Sequence, residues 1–188
     1  MRRYAAAIVA LVAVVGVLVA ARHRVAAAPP VVDVGSVPAV VPSSALFRAQ
    51  VVRVVDGDTF LARRDGRGPP VRVRIIGADT PETVKPGVAV RCYGPQASAF
   101  TKHLLGVGGW VRAAYEGGGS TDRYGRQLWD VWLPDGRFLE AVLVASGAAR
   151  AYPYAPQLEH AAVLADLQQQ ARAARRGLWG APCNGHSF

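Results

Sequence analysis

From residue 46 onward, apolar positions alternate with polar or small ones over three short runs, at 46–55, 58–64 and 70–77. A period of two predicts strands with one buried face. Between the second and third runs, "DGRGPP" at 65–70 supplies the turn residues that a reversal needs. Two further runs, "WVRAAYE" at 110–116 and "RQLWDVWL" at 126–133, also read as strands, joined by the glycine-rich "GGGSTDRYG". Pro134-Asp135-Gly136 marks the next turn. The period becomes helical in three places. Residues 95–105 open on proline and 138–147 close on glycine, as helix starts and stops do. Residues 155–177 form the clearest helix, with Leu158, Ala161, Ala162, Ala165 and Leu167 on or near one stripe.

About five short strands with interspersed helices predict an α+β domain built on a small barrel. A five-stranded oligonucleotide-binding (OB) barrel with three helices fits that count. The chain shows no internal repeat.

Ahead of this domain, "MRRYAAAIVALVAVVGVLVAARHR" places two arginines before an uncharged apolar run from Tyr4 to Ala21. Residues 1–24 are therefore read as a signal peptide or an N-terminal membrane anchor. The run is long for a signal core and short for a comfortable span, so both readings stand. Residues 25–44 are rich in proline, alanine and valine and read as a linker, leaving 45–188 as the folded domain. Secretion or attachment to the cell envelope, on the extracellular side, is expected.

Half of the 188 residues are apolar (51%), which excludes a wholly disordered chain. The net charge is +9. Four arginines and one aspartate precede residue 45, so the domain keeps most of the excess, which favours an anionic partner such as nucleic acid. The two cysteines, Cys92 and Cys183, suggest one disulfide in an exported protein; two buried thiols are the alternative.

Candidate chemistry gathers around one hairpin. With its turn centred near residue 67 or 68, residue 58 should lie opposite roughly residue 77. Beyond that point the chain runs "GADTPE". Asp58, Asp79 and Glu82 are thus expected at one open end, with Asp56 beside them. Carboxylates this close repel unless a cation or proton intervenes, and oxygen ligands suit a hard ion such as Ca²⁺. The alternation puts Arg72 and Arg74 on one face of their strand: Arg72 is expected in solvent, Arg74 beside the acids. Arg126, at the start of another strand, offers a second guanidinium. Two arginines and a divalent ion around an acidic pocket describe a phosphoryl-transfer site.

These residues carry a resemblance. "DGDT" at 56–59, Arg74 followed by "DTPE" at 79–82, "YGPQASAFTK" at 93–102, "TDRYGR" at 121–126, "AYPY" at 151–154 and "GLW" at 177–179 occur in the order and near the spacing of the thermonuclease family. Residues 45–179 are thus similar to staphylococcal nuclease and its relatives. The resemblance implies an OB barrel with three helices that binds one Ca²⁺ and hydrolyses DNA and RNA to 3′-phosphate ends. It implies that Asp58, Asp79 and the Thr80 carbonyl hold the metal, with Asp56 acting through water. Glu82 is implied as general base, and Arg74 and Arg126 as the phosphate grip. Arg123 and Tyr124 would contact substrate phosphate, and Tyr152 with Tyr154 would line the nucleotide pocket. Single-stranded or denatured substrates are expected, acted on by a monomer. Membrane contact is expected only through the N-terminal segment, if it is retained.

The chain also departs from the staphylococcal protein. The segment after "TPE" has only Lys85 and Arg91 where that protein is rich in lysine, and Arg123 replaces a lysine. Cys92 and Cys183 have no counterpart there, and they are expected to form a disulfide that pins the C-terminal segment to the barrel side. The alternative to a nuclease is a non-catalytic OB-fold module of the cell envelope that binds nucleic acid without cutting it. The presence of all five of Asp58, Asp79, Glu82, Arg74 and Arg126 favours the enzyme.

Overall fold

The computed structural model describes residues 37–42, 45–115, 121–152 and 159–188. The N-terminal segment 1–24, most of the linker, residues 116–120 of the glycine-rich loop, Tyr154 and residues 155–158 of the expected third helix lie outside the described residues.

Seven strands follow one another within these limits: β1 (Phe47–Val54), β2 (Thr59–Arg64), β3 (Val71–Ile75), β4 (Ala78–Asp79), β5 (Trp110–Tyr115), β6 (Gln127–Trp132) and β7 (Arg150–Ala151). Five of them close a barrel in the order β1-β2-β3-β6-β5, with β5 returning to β1. Neighbours are antiparallel except β3 and β6, which run parallel. Three helices complete the described fold: α1 (Gly94–Leu105), α2 (Leu139–Ala145) and α3 (Ala161–Ala173). This is the expected OB barrel with helical additions.

The alternation read from the sequence is the inside–outside alternation of the barrel. Ala49, Val51, Phe60, Ala62, Val73, Ile75, Val111, Ala113, Trp129 and Val131 all point into it and are fully or almost fully buried. Trp129 is the largest of the fully buried side chains, meeting Phe60 and Phe47 edge to face with ring centres 6.1 and 5.0 Å away. Truncating such a side chain to alanine costs about 3–5 kcal/mol. A bulge in β1 between Val51 and Arg53 bends that strand, as closure of so small a barrel requires.

The β2–β3 hairpin turns earlier than expected. Thr59 pairs with Arg74 and Ala62 with Val71, so the turn is centred between residues 66 and 67. Asp58 accordingly lies beside Ile75, whose N–H donates to the Asp58 carbonyl (2.9 Å), and not opposite residue 77. The displacement matters for the site. The chain leaves the barrel after Ile75, reverses at Gly77 with φ of +79°, and lays β4 back across the hairpin's open end. There β4 pairs with β7, Ala78 opposite Ala151 and Asp79 opposite Arg150. Elements of two residues leave no periodic signature, which is why this pair is invisible in the hydrophobic pattern.

Behind the barrel, every residue of α2 is buried between β6 and α3. Its Glu140 accepts the Val131 N–H (3.0 Å), tying the helix to β6. The buried face of α3 is Leu164, Leu167 and Ala171, whereas Ala162 and Ala165 are exposed. Of the expected stripe, Leu167 is buried and Ala161 half-buried, while Ala162 and Ala165 face outward. Alanines lose little by facing water, so the two leucines weigh most in setting the face. A disulfide joins Cys92, just before α1, to Cys183, with Cα atoms 5.7 Å apart.

Candidate active site

The turn between β1 and β2 carries "DGDT". The Asp58 N–H donates to Asp56 Oδ1 (3.2 Å), and the N–H groups of Val55 and Asp56 both reach the Thr59 carbonyl (2.8 and 3.2 Å). Gly57 is required here because a Cβ would stand 2.6 Å from Thr80 Oγ1. The Gly57 carbonyl accepts a 2.7 Å hydrogen bond from Thr101 Oγ1 of α1. The turn is thus wedged between α1 and Thr80, and Asp58 is fixed with it. Asp58 Oδ2 accepts the Thr80 N–H (3.0 Å) and hydroxyl (3.2 Å), while Oδ1 accepts the Thr59 hydroxyl (2.9 Å).

Arg74 joins the two acidic segments. Only 4% exposed, it donates from Nη1 to the carbonyls of Ile75 and Ala78. Its Nη2 reaches Asp79 Oδ1 at 3.0 Å and Asp58 Oδ2 at 3.4 Å. A buried cation between two carboxylates holds at close quarters two charges that would otherwise separate. Arg150 takes the other side of Asp79, with Nε and Nη2 each 2.9 Å from Oδ2. The sequence offered no reason to single out Arg150. Its place follows from the β4–β7 pairing, which sets it directly opposite Asp79.

Arg126 faces the same turn. Nη1 donates to Thr59 Oγ1 (3.2 Å), whose own hydroxyl donates to Asp58 Oδ1, so one hydroxyl connects Arg126 to Asp58. Nε donates to Asp122 Oδ2 at 2.7 Å, which sets the plane of the guanidinium. Burial opposes ionisation of Asp122, but hydrogen bonds from the Arg126 main chain, its guanidinium and the Tyr124 N–H outweigh it and hold the carboxyl below its usual range. Tyr124 lies alongside, with the Arg123 and Arg126 guanidinium carbons 4.9 and 5.5 Å from its ring centre. Glu82 turns one oxygen inward on its own loop, where Oε1 accepts the N–H groups of Thr83, Val84 and Lys85 at 2.9–3.0 Å.

These side chains line one cleft of about 660 Å³. Asp56, Asp58, Arg74, Asp79, Thr80, Glu82, Arg123, Tyr124, Arg126 and Tyr152 all take part in its wall. Tyr154 lies outside the described residues. The wall has two further contributors that the sequence did not suggest: Arg150, and Ser187 with Phe188 from the segment beyond Cys183. The carboxylates strain against one another. Burial first, then the charges of Asp58 and Glu82, push Asp56 up from 3.8 to about 7. Burial and the charge of Asp58 also raise Asp79, against the pull of Arg74 and Arg150.

Comparison with known proteins decides the family. A family model described as staphylococcal nuclease homologue matches residues 72–181, more than half of the chain. The chain belongs to that family. It is 42% identical over 130 residues to the thermonuclease of Staphylococcus hyicus, covering 69% of this chain and 74% of that protein. The thermonuclease of Staphylococcus intermedius is likewise 42% identical, over 129 residues, with the same coverage of each chain. Endonuclease YncB of Bacillus subtilis (strain 168) is 34% identical over 135 residues, 71% of this chain and 62% of its own.

In this nuclease homologue the donor set at the cleft floor suits a hard cation. Asp58 and Asp79 offer carboxylate oxygens, the adjoining Thr80 offers a carbonyl, and the upward pressure on Asp56 and Asp79 is what a divalent ion would relieve. Among the described residues no three His, Cys, Asp or Glu side chains converge as a metal group. Glu82, on the loop that follows β4, lines the same cleft, and its charge reaches Asp56. The two cysteines form the expected disulfide.

Proposed function

We propose that this chain is an exported, Ca²⁺-dependent nuclease that hydrolyses phosphodiester bonds of DNA and RNA and leaves 3′-phosphate ends. One observation carries the reading. A single buried arginine nitrogen bridges Asp58 and Asp79, and Arg126 is tied to Asp58 through Thr59 in the same cleft. The family membership of the chain and the names of its relatives support hydrolysis of nucleic acid.

Asp58, Asp79 and the Thr80 carbonyl would hold the ion, with Asp56 linked through water. Bound there, Ca²⁺ would neutralise charge and polarise the phosphoryl oxygens. The chain's own residues do the rest. Arg126, its guanidinium plane oriented by Asp122, presents donors to the phosphate and stabilises charge on five-coordinate phosphorus. Arg74 keeps the two carboxylates in register and contributes positive charge behind them. Glu82, its Oε1 anchored by three N–H groups, offers its other oxygen to orient and deprotonate the attacking water. Arg123 and Tyr124 sit at the rim, where a neighbouring phosphate would pass, and Tyr152 supplies a ring face for an unstacked base. Such stacking favours single-stranded or denatured substrates.

No helix among the described residues is long and apolar enough to cross a membrane. The proposal of export rests on the N-terminal apolar run, as a cleaved signal or a retained anchor.

The test is direct. The purified chain should degrade denatured DNA and RNA in millimolar Ca²⁺, stop on chelation, and yield ends that a 3′-phosphatase converts to hydroxyls. Glu82→Gln should lower turnover by roughly 10²–10⁴-fold with little change in binding. Intact substrate in Ca²⁺, with Glu82→Gln binding no differently, would leave a nucleic-acid-binding module in place of the enzyme.

A further inference from the structure

The disulfide brings a distant piece of chain to the cleft. Beyond the single 3-10 turn Gly177–Trp179, residues 180–186 fold through hydrogen bonds from Asn184 N to the Gly180 carbonyl, Gly185 N to Leu178 and His186 N to Cys183. Cys183 is buried and bonded to Cys92, which immediately precedes the Tyr93 cap of α1. Held this way, Ser187 and Phe188 become part of the cleft wall. The Phe188 ring centre lies 3.8 Å from the Arg150 guanidinium carbon, and Tyr152 lies 5.4 Å from the same carbon. Arg150 in turn holds Asp79 Oδ2.

Two features of this corner point to a ligand. Ser187 is fully buried and lines the cleft, and its hydroxyl has no hydrogen-bond partner among the described residues. A buried hydroxyl left unpaired is costly, and one that faces a binding cleft finds its partner when the cleft is filled. Phe188 keeps 40% of its surface exposed although its ring also covers a cation. An aromatic ring backed by a guanidinium and open on its remaining surface is a stacking platform for a flat, uncharged group.

We propose that residues 183–188, anchored by the Cys92–Cys183 disulfide, form a nucleobase subsite in which Phe188 stacks on a base and the Ser187 hydroxyl bonds to the same nucleotide. The subsite rests on the nuclease reading for its ligand class. It adds to the cleft a specificity-determining residue whose position depends on the disulfide. Because every base has a ring face, the subsite selects for unpaired bases over paired ones and discriminates little among sequences.

Equilibrium binding tests it, with the full chain carrying Glu82→Gln so that the probe survives. The probes are a labelled oligothymidylate and an abasic phosphodiester oligomer of the same length, followed by fluorescence anisotropy. Phe188→Ala should weaken the oligothymidylate by about 5- to 150-fold, the range of one stacked base, and leave the abasic oligomer within about twofold. Phe188→Trp should restore the loss. Cys92→Ser with Cys183→Ser should reproduce the base-selective pattern, and Phe188→Ala alone still decides if that pair fails to fold. Equal weakening of both probes would mean that Phe188 only props Arg150, and no weakening, or no binding of either probe, would also overturn the subsite. Hydrolysis by the unaltered chain is measured separately: base-selective binding without hydrolysis would sink the nuclease and leave the subsite standing.

Discussion

The crowded carboxylates should make the metal-free chain less stable as pH rises towards neutrality, the reverse of the usual behaviour of an acid-sensitive protein. The unfolded chain releases the Asp56 proton near 3.8, while the folded chain keeps it up to about 7. Between those values the folded state holds the extra proton, so each step upward in pH penalises folding. At roughly 1.36 kcal/mol per pH unit, the gap amounts to about 4 kcal/mol across the window. Asp79 is raised as well and acts in the same sense. Asp122 and Asp135 are held below their usual range and act the other way, but their contribution is lost only as pH falls below about 4, outside this window. The assay is urea unfolding in chelator, followed by tryptophan fluorescence, to which buried Trp129 and Trp132 contribute, in steps from about pH 4.5 to 7.5. The midpoint should fall across the series, Asp56→Asn should remove most of the fall, and Ca²⁺ near pH 7 should reverse it by favouring the ionised carboxylates. A flat profile in chelator, or an equal slope in Asp56→Asn, would refute the reasoning.

Three other perturbations test the geometry. Gly57→Ala places a methyl 2.6 Å from Thr80 Oγ1 and should cost about 1–3 kcal/mol in urea unfolding, with loss of hydrolysis as Thr80 leaves Asp58. Arg126→Lys keeps the charge but cannot hold Asp122 and Thr59 at once, so kcat should drop by about 10²–10³-fold with a smaller change in KM. Replacing both cysteines with serine opens a closure of 91 residues and should lower stability by about 4–5 kcal/mol if chain entropy dominates; the native chain, denatured without reductant, should titrate no free thiol.

How much of this could be read beforehand depends on the range over which each signal acts. The barrel strands alternate over five to eight residues, long enough for the period to declare them, and "DGDT" and "DTPE" announce their chemistry by residue type. The expected meeting of Asp58 and Asp79 holds, although the residue expected opposite Asp58 was off by two. It holds because the reversal at Gly77 and the Arg74 clamp bring β4 back over the strand end, and neither feature has a periodic signal. Arg150 and Phe188 went unseen for the same reason. One is placed by a two-residue strand pair and the other by a covalent bond between residues far apart in the chain. In α3 the expected stripe placed Leu167 correctly and missed at Ala162 and Ala165, because alanine is equally content on either side of a helix. Local pattern thus revealed the scaffold and the chemical types; the contacts that aim them are made at long range.

The charge layout of the cleft follows from conflicting demands that a single surface has to meet. A hard cation needs carboxylates, while a polyanionic substrate needs their opposite. Among the described residues, seven basic side chains and four side-chain carboxylates line the space. The acids Asp56 and Asp58 sit on the wedged turn at the floor, and Arg74 is buried behind Asp58 and Asp79. Exposed Arg72, Lys85, Arg91 and Arg123 occupy the outer wall. An approaching strand therefore meets positive charge first, and its phosphates are drawn inward by electrostatic attraction that salt will screen. At the floor the balance reverses, and burial, reinforced by the charges of Asp58 and Glu82, keeps the proton on Asp56 up to about pH 7. On the proposed reading, an ion bound there would relieve that repulsion, and the phosphate would gain from the ion. Binding of metal and substrate should consequently be mutually reinforcing, each supplying the charge that the other's ligands lack.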